Sequence, residues 1–170
     1  MITAVTLALS LAFEPPEVRV MQRQPRDPKE PILTPFLVWR IAFVSLILIA
    51  GTCGLFMWER LSGVSVETAR TVAVNTLVMF EVFYLFNTRY IRDPIFTQEG
   101  IFGNGYALAA IGLVAGFQFL FTYAPPMQKL FKTAAINPAA WVRIIIISTS
   151  VLVLVEIEKY FLRKYELMKI

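Results

Sequence analysis

One carboxylic acid lies at a depth where a membrane would make it costly. Glu81 is ten residues into the 16-residue run 71–86, which is otherwise uncharged, and Phe80 and Val82 flank it. An unpaired carboxylate in hydrocarbon costs several kcal/mol, so such a residue is expected to face other helices and to meet a cation, a proton or a hydrogen-bond donor. A functional acid is the favoured interpretation. The alternative is a protonated glutamate that hydrogen-bonds a neighbouring helix.

Hydroxyl groups follow one another along the first segment of the chain. Thr3 and Thr6 share a helix face by their i, i+3 spacing, and Thr6 and Ser10 share one by i, i+4. Serine and threonine in membrane helices usually serve packing and interhelical hydrogen bonds. Hard cations also take oxygen ligands, so an ion-binding role is the alternative.

Other familiar chemistries are excluded by composition. The 170 residues contain no histidine and one cysteine, which excludes histidine-based triads and zinc sites built from Cys and His. No glycine-rich phosphate loop is present either.

A calcium-like ion takes about six to eight oxygens, so Glu81 alone would leave it under-coordinated. The missing ligands are expected to come from outside this chain.

The remaining isolated polar and small residues favour structural roles. Gln118 is one polar group in a long apolar run, where a packing hydrogen bond is expected, and Cys53 is expected to be an inert core residue. Gly112 and Gly116 form a G-x-x-x-G, which allows close helix approach. Asn87 is expected to be a helix-terminal polar residue.

The elements that position these residues are membrane helices. Apolar residues make up 57% of the chain and charged residues 16%, against about 45–50% and about 25% in soluble domains. Uncharged or nearly uncharged runs cover residues 41–58, 71–86, 105–128 and, with charged ends, 139–162. Because a span needs about 20 apolar residues, we predict an all-α polytopic membrane bundle with about four full spanning helices plus a partial N-terminal one.

The chain divides into four regions. Residues 1–13 are expected to form the second half of a membrane helix, which suggests that the chain is a fragment of something longer. Residues 14–35 form a Pro-rich basic cytoplasmic loop, residues 36–162 a four-helix membrane bundle, and residues 163–170 a cytoplasmic tail. Glu156, Glu158 and Lys159 at the end of the last span are expected to form a charged anchor with a gating role.

Basic residues set the predicted orientation. Ten lysines and arginines fall in the loop 14–35, the loop after the third span and the C-terminal end, against five on the other side. We therefore expect an integral membrane protein, of the plasma (inner) membrane, with its N-terminal loop and C-terminus in the cytoplasm. The same bias explains the net charge of +4, so the bilayer is the expected partner and nucleic acid is not.

The loop 14–35 is unusually rich in proline. It contains six prolines among alternating charges, which forbids a continuous helix and favours a stiff, extended chain. It can be a solvated spacer between two helices. The alternative is a docking strap on which a cytoplasmic domain presses.

Residues 14–33, EPPEVRVMQRQPRDPKEPIL, resemble the loop that follows the sixth membrane helix of type II cation-transporting P-type ATPases. The family pattern is a Pro-Pro, a hydrophobic residue with Met, and then Arg-x-Pro-Arg-x-Pro-Lys-x-Pro-Leu. The later spans resemble helices seven to ten of this family in number, spacing and orientation. The resemblance therefore covers the chain from the second half of helix six to helix ten.

The resemblance implies residue roles. Glu81 matches an eighth-helix glutamate that binds the transported metal ion in calcium pumps, and Thr3 matches a sixth-helix threonine beside the ion site. The chain departs from the pattern at Ala4, where calcium and sodium pumps carry Asp, and Val5 and Leu7 replace the Gly and Pro that unwind the helix. These departures leave the identity of the cation open.

The resemblance also implies that the Pro-rich loop couples the membrane helices to the phosphorylation domain. The residues of this loop that match the family motif, and that would make this coupling contact, are Arg23, Pro25, Arg26 and Lys29.

The implied function is that of the C-terminal transmembrane region of an ATP-driven cation pump, which braces the transport helices and contributes to the ion site. Mg and ATP would bind only upstream, so the isolated chain is expected to have no ATPase activity although the full-length protein would be a cation translocase. Its partners would be helices one to six and the cytoplasmic domains, and the isolated piece could self-associate. The alternatives are a stand-alone small membrane protein that assembles with or regulates a transporter, and a small cation channel or carrier that uses Glu81.

Overall fold

The computed structural model describes residues 2–14, 31, 33–89 and 104–164. Within these residues the chain forms helices and no strand. The helices are α1 (Ile2–Leu11), α2 (Pro35–Leu61), α3 (Val66–Arg89), α4 (Gly105–Tyr123), α5 (Pro125–Phe131) and α6 (Pro138–Lys164).

Four of these helices are long and apolar enough to cross a membrane. The candidate spans are Pro35–Leu61, Val66–Thr88, Gly105–Tyr123 and Pro138–Leu162. Together with the shorter α1, they confirm the predicted all-α bundle of four spanning helices and a partial N-terminal one.

Local caps explain where the long helices begin. Thr34 accepts a hydrogen bond from the backbone N–H of Leu37 at 3.3 Å, and Pro35 takes the first helical position, where a missing N–H costs nothing. The oxygen Oγ of Ser65 accepts from the N–H of Thr68 at 3.2 Å and caps α3. Because of this cap, α3 begins five residues before the apolar run and includes Glu67.

A short helix follows α4 slightly earlier than the sequence indicates. Between the prolines at 125–126 and the one at 138, residues 127–135 are expected to form a short amphipathic helix at the membrane interface, whereas α5 covers Pro125–Phe131. The two prolines are compatible with its first turn because the first N–H groups of a helix have no intrahelical partner. Lys132 adopts a left-handed conformation with φ of 51°, and this ends the helix.

Helix α3 lies at the centre of the bundle and packs on α2, α6 and α1. On the α2–α6 side, Val44, Phe80, Val151 and Val155 form a buried apolar cluster. The closest approach is at Gly51, where an added Cβ would lie 2.5 Å from the Phe80 ring. Glycine therefore lets α2 come close to α3.

Helix α4 lies on the other side of α3 and packs chiefly on α1 and α5. A second buried cluster joins α1, α3 and α4, and its members are Leu7, Val78, Val82, Leu85, Ala107 and Val114. Gly112 and Gly116 make no close approach to another described helix, since no atom there lies within 4 Å of a Cβ added at either position.

Candidate cation-binding site

The two residues predicted for the ion site meet in the structure. The hydroxyl Oγ1 of Thr3 on α1 donates a hydrogen bond to the carboxylate Oε2 of Glu81 on α3, at 2.8 Å and across 78 positions of sequence. Glu81 is half-buried, and so is Thr3. The buried acid therefore has a donor from a neighbouring helix, as either interpretation of Glu81 requires.

The apolar cluster between α1, α3 and α4 sets this register. Leu7 of α1 packs with Val78 and Val82 of α3. Thr3 is one helical turn from Leu7 on the same face, and Glu81 lies between the two valines on the chain. The packing of these side chains therefore brings the hydroxyl and the carboxylate to the same level of the bundle.

Ser10, the third hydroxyl on α1, has a different role. Its Oγ donates to the backbone carbonyl of Leu7 at 2.6 Å and is buried. This hydrogen bond satisfies the hydroxyl within its own helix. The Thr3 hydroxyl links this face of α1 to Glu81.

A cation at this position would need neutral oxygen ligands. The described part of the chain contains no group of three His, Cys, Asp or Glu that could hold a metal ion. Hydroxyl, carboxamide and carbonyl oxygens can supplement a single carboxylate for a hard cation. Thr3 already places one such oxygen beside Glu81.

Two lone residues lie in surroundings that the sequence did not indicate. Gln118 is 7% exposed and its Nε2 atom is buried without a hydrogen-bond partner in the described residues, so the expected packing bond stays a prediction for its carboxamide oxygen. Cys53 is exposed on α2 rather than in the core. Periodicity identified both as members of apolar runs but could not say which neighbour each would face.

A buried polar network that sequence reasoning missed joins α3 to α4. The Nδ2 atom of Asn75 donates to the Thr122 hydroxyl at 3.0 Å and to the carbonyl of Thr71 at 2.9 Å. The Thr71 hydroxyl in turn accepts from the backbone N–H of Ala134 at 3.0 Å. A polar residue within the run 71–86 was the available signal, since such residues in membrane helices hydrogen-bond across helices.

Charged groups close the far end of α6, as predicted for an anchor. Lys159 is fully buried, and its Nζ atom lies 2.9 Å from Glu156 Oε1 and 3.3 Å from the carbonyl of Asn87. Arg40 of α2 pairs with Glu158 at 2.7 Å. These contacts fasten α2 and α3 to α6. The expected gating role stays a prediction.

The coupling residues predicted in the Pro-rich loop, Arg23, Pro25, Arg26 and Lys29, lie outside the described residues. The boundaries predicted for the loop and for the tail therefore stay predictions, apart from the helix limits already given.

Comparison with known proteins places residues 1–161 in a match to a family described as "Cation transporting ATPase, C-terminus". The chain is similar to a probable cation-transporting ATPase F of Mycobacterium tuberculosis, with 41% identity over 155 residues, 91% of this chain and 17% of that protein. It is also similar to human calcium-transporting ATPase type 2C member 1, with 30% identity over 160 residues, 94% of this chain and 17% of that protein.

A third similar protein is calcium-transporting ATPase 1 of Yarrowia lipolytica, with 30% identity over 156 residues, 92% of this chain and 17% of that protein. In all three cases the chain spans about a sixth of the relative's length, 17%. The names of all three relatives describe cation transport.

Proposed function

Because the chain belongs to the family of C-terminal regions of cation-transporting ATPases, we propose that it works as the membrane-embedded C-terminal part of an ATP-driven cation pump. In this proposal Mg and ATP bind in a part of the pump that precedes these residues. The chain itself hydrolyses no ATP and acts as support and as a contributor of ion ligands. The family match does not favour a stand-alone regulator or a small channel.

The hydrogen bond between Thr3 and Glu81 is the observation that carries the proposal. A carboxylate and a hydroxyl oxygen on two different helices form the start of a coordination shell for a hard cation. When the cation binds, the Thr3 hydroxyl can turn its proton away and offer a lone pair, since a hydroxyl both donates and accepts. The cation is the transported substrate and enters the site from outside.

Rigid support for Glu81 favours a binding role over a merely tolerated buried acid. Helix α3 is fixed on one side by the apolar cluster around Phe80 and at its end by Lys159 of α6. A ligand on a rigid helix needs little reorganisation when the ion binds. Motion in the transport cycle would then belong to α1 and to the helices that precede it.

The cellular placement is part of the proposal. The bias of basic residues supports an orientation with the Pro-rich loop and the C-terminus in the cytoplasm, and we place the protein in the plasma (inner) membrane. The loop 14–35 would then contact the phosphorylation domain, with Arg23 and Arg26 in position to pair with acidic groups. The cation is left open, and Ca²⁺ is the first to test because two of the similar proteins are named calcium-transporting.

The test uses the full-length protein that carries this chain, reconstituted in liposomes. ATPase activity is measured while Ca²⁺, Mn²⁺, Na⁺ or K⁺ is varied. We expect activation by one of these cations, and we expect Glu81→Gln to raise the concentration for half-maximal activation by about tenfold or more, because a charged ligand is lost.

The matched control is Glu67→Gln, which changes the same residue type on the same helix at an exposed position in the first turn. It should leave cation activation unchanged. A wild-type protein that no cation activates, or equal effects of the two substitutions, would contradict the proposal.

A further inference from the structure

Gln118 has a buried polar group that the hydrogen bonds of the bundle do not satisfy. Its side chain is 7% exposed, and Nε2 has no partner among the described residues. A buried donor left unsatisfied costs about 1–3 kcal/mol, and the hydrocarbon offers no water to replace the missing bond. We therefore expect the Gln118 carboxamide to have a binding partner that this chain does not supply.

The neighbours of Gln118 on its own helix fix the direction in which it faces. Val114 and Thr122 lie one turn below and above it on the same face of α4. Val114 packs with the buried cluster of α1 and α3, and Thr122 hydrogen-bonds Asn75 of α3. Gln118 therefore lies between these two contacts, on the side of α4 that faces α3.

The same stretch of α3 carries Glu81. Helices α3 and α4 are antiparallel, and the contacts of Val114 and Thr122 place Gln118 opposite the segment between Asn75 and Val82. At 1.5 Å per residue, Gln118 lies about 6 Å along the bundle from the Asn75–Thr122 contact and Glu81 about 9 Å, so their levels differ by about 3 Å, less than one turn. Long side chains can bridge such an offset through a shared ion.

The unpartnered Nε2 atom is a donor, whereas a cation needs an oxygen lone pair. Half a turn of the carboxamide about its last torsion exchanges the two atoms and places the oxygen, a neutral ligand that suits a hard cation, at the unpartnered position. Glu81 and Thr3 supply one carboxylate and one hydroxyl, and the described residues offer no cluster of acids to complete the site. We propose that Gln118 is a further cation ligand, whose carboxamide oxygen binds the transported cation together with Glu81 and Thr3. This inference rests on the proposed function, since it adds a ligand to the same site.

The experiment compares Gln118→Met with Thr149→Val in the full-length protein in liposomes. Methionine keeps the length and most of the volume of glutamine but removes the amide. Thr149 bonds the carbonyl of Ile145 in its own helix, α6, so its removal is a matched loss of a polar group away from the site. ATPase activity is titrated with Ca²⁺, Mn²⁺ and Na⁺.

We expect Gln118→Met to raise the cation concentration for half-maximal activation by about fivefold to tenfold, while turnover at saturating cation changes by less than about twofold. Thr149→Val should change neither value. An unchanged half-activation in Gln118→Met, or a loss of turnover without a change in half-activation, would overturn the inference. If Gln118→Met does not accumulate, Gln118→Asn replaces it, with a smaller shift in the same direction.

A double-mutant cycle separates a ligand from a packing residue. Two ligands of one ion are coupled, so Thr3→Val and Gln118→Met together should depart from the product of their single effects by at least about threefold. Multiplicative effects of the two substitutions would overturn the inference.

The single substitutions separate this inference from the proposed function. If Glu81→Gln shifts cation activation and Gln118→Met does not, only the role of Gln118 fails. If the wild-type protein shows no cation activation, the proposed function fails.

Discussion

At the scale of single residues, an ion pair with a buried carboxylate joins α2 to α6. Glu59 of α2 is 3% exposed and accepts two hydrogen bonds from Arg143 of α6, one of them from Nε at 3.1 Å. Removing one partner of a buried pair leaves an uncompensated charge, which is far more costly than replacing both. The pair therefore fixes α2 to α6 only as long as both members are present.

We predict that Arg143→Met lowers the free energy of unfolding by about 3 kcal/mol, because Glu59 is left buried without its cation. The double variant Glu59→Gln/Arg143→Met should lose less than the single one. Denaturation in detergent, followed by circular dichroism, measures both, and the exposed Lys129→Met serves as the control. A double variant as unstable as the single one would show that the pair itself, rather than the orphaned charge, is what matters.

The sequence predicted the contact of Thr3 with Glu81 better than it predicted other polar contacts. A buried acid must find a donor, and the resemblance named the helix that would supply it. The partners of Asn75 and the missing partner of Gln118 were not predictable, because periodicity tells which face a residue occupies and not what lies opposite. For Cys53 the same limit led to a wrong expectation, since a long apolar helix has both a packed face and a face toward lipid.

At the scale of elements, close approach of α2 to α3 depends on one glycine. A Cβ added at Gly51 would lie 2.5 Å from the Phe80 ring and 3.2 Å from Ile147, whereas one added at Gly54 meets nothing within 4 Å. Both glycines lie within α2, three residues apart. Replacing either one therefore changes the helix propensity by about the same amount, and the two sites differ in what the new side chain would contact.

We predict that Gly51→Ala lowers the free energy of unfolding by about 1–3 kcal/mol, because the methyl group overpacks the contact with Phe80. Gly54→Ala should leave stability unchanged or raise it slightly, since alanine is the better helix former. Thermal denaturation of the two purified variants compares them directly. If Gly54→Ala loses as much as Gly51→Ala, the clash is not the cause.

Element boundaries were predictable where chemistry marks them. Apolar runs located all four spans, and Ser65, a residue type that caps helices, indicated that the next helix begins at residues 65–67, as α3 does. The earlier start of α5 was missed because proline residues are counted against a helix, although they are compatible with its first turn.

At the scale of the whole molecule, the helices alternate in direction and place two sets of connections at opposite ends. The α2–α3 turn at Ser62 and the last residue of α6, Lys164, lie at these two ends, and both residues are exposed. The proposed orientation puts Ser62 outside and Lys164 in the cytoplasm.

We predict that, in a background in which Cys53 and any other cysteine of the full-length protein are replaced by alanine, Ser62→Cys reacts with a membrane-impermeant maleimide added to intact cells. Lys164→Cys should react only after the membrane is permeabilised. Gel-shift labelling measures both. The reverse pattern would contradict the orientation derived from the basic residues, while leaving the fold unchanged.

One side chain joins two helices at the end of the bundle nearest the Pro-rich loop. Asn104 accepts hydrogen bonds from the N–H groups of Tyr106 and Ala107, so it caps α4, and its Nδ2 atom donates to Glu14 at 2.6 Å. A displacement of Glu14 would therefore act on the first turn of α4. A movement generated outside the membrane would then reach the bundle through the Asn104–Glu14 hydrogen bond. It would act first on α4, the helix that also carries Gln118.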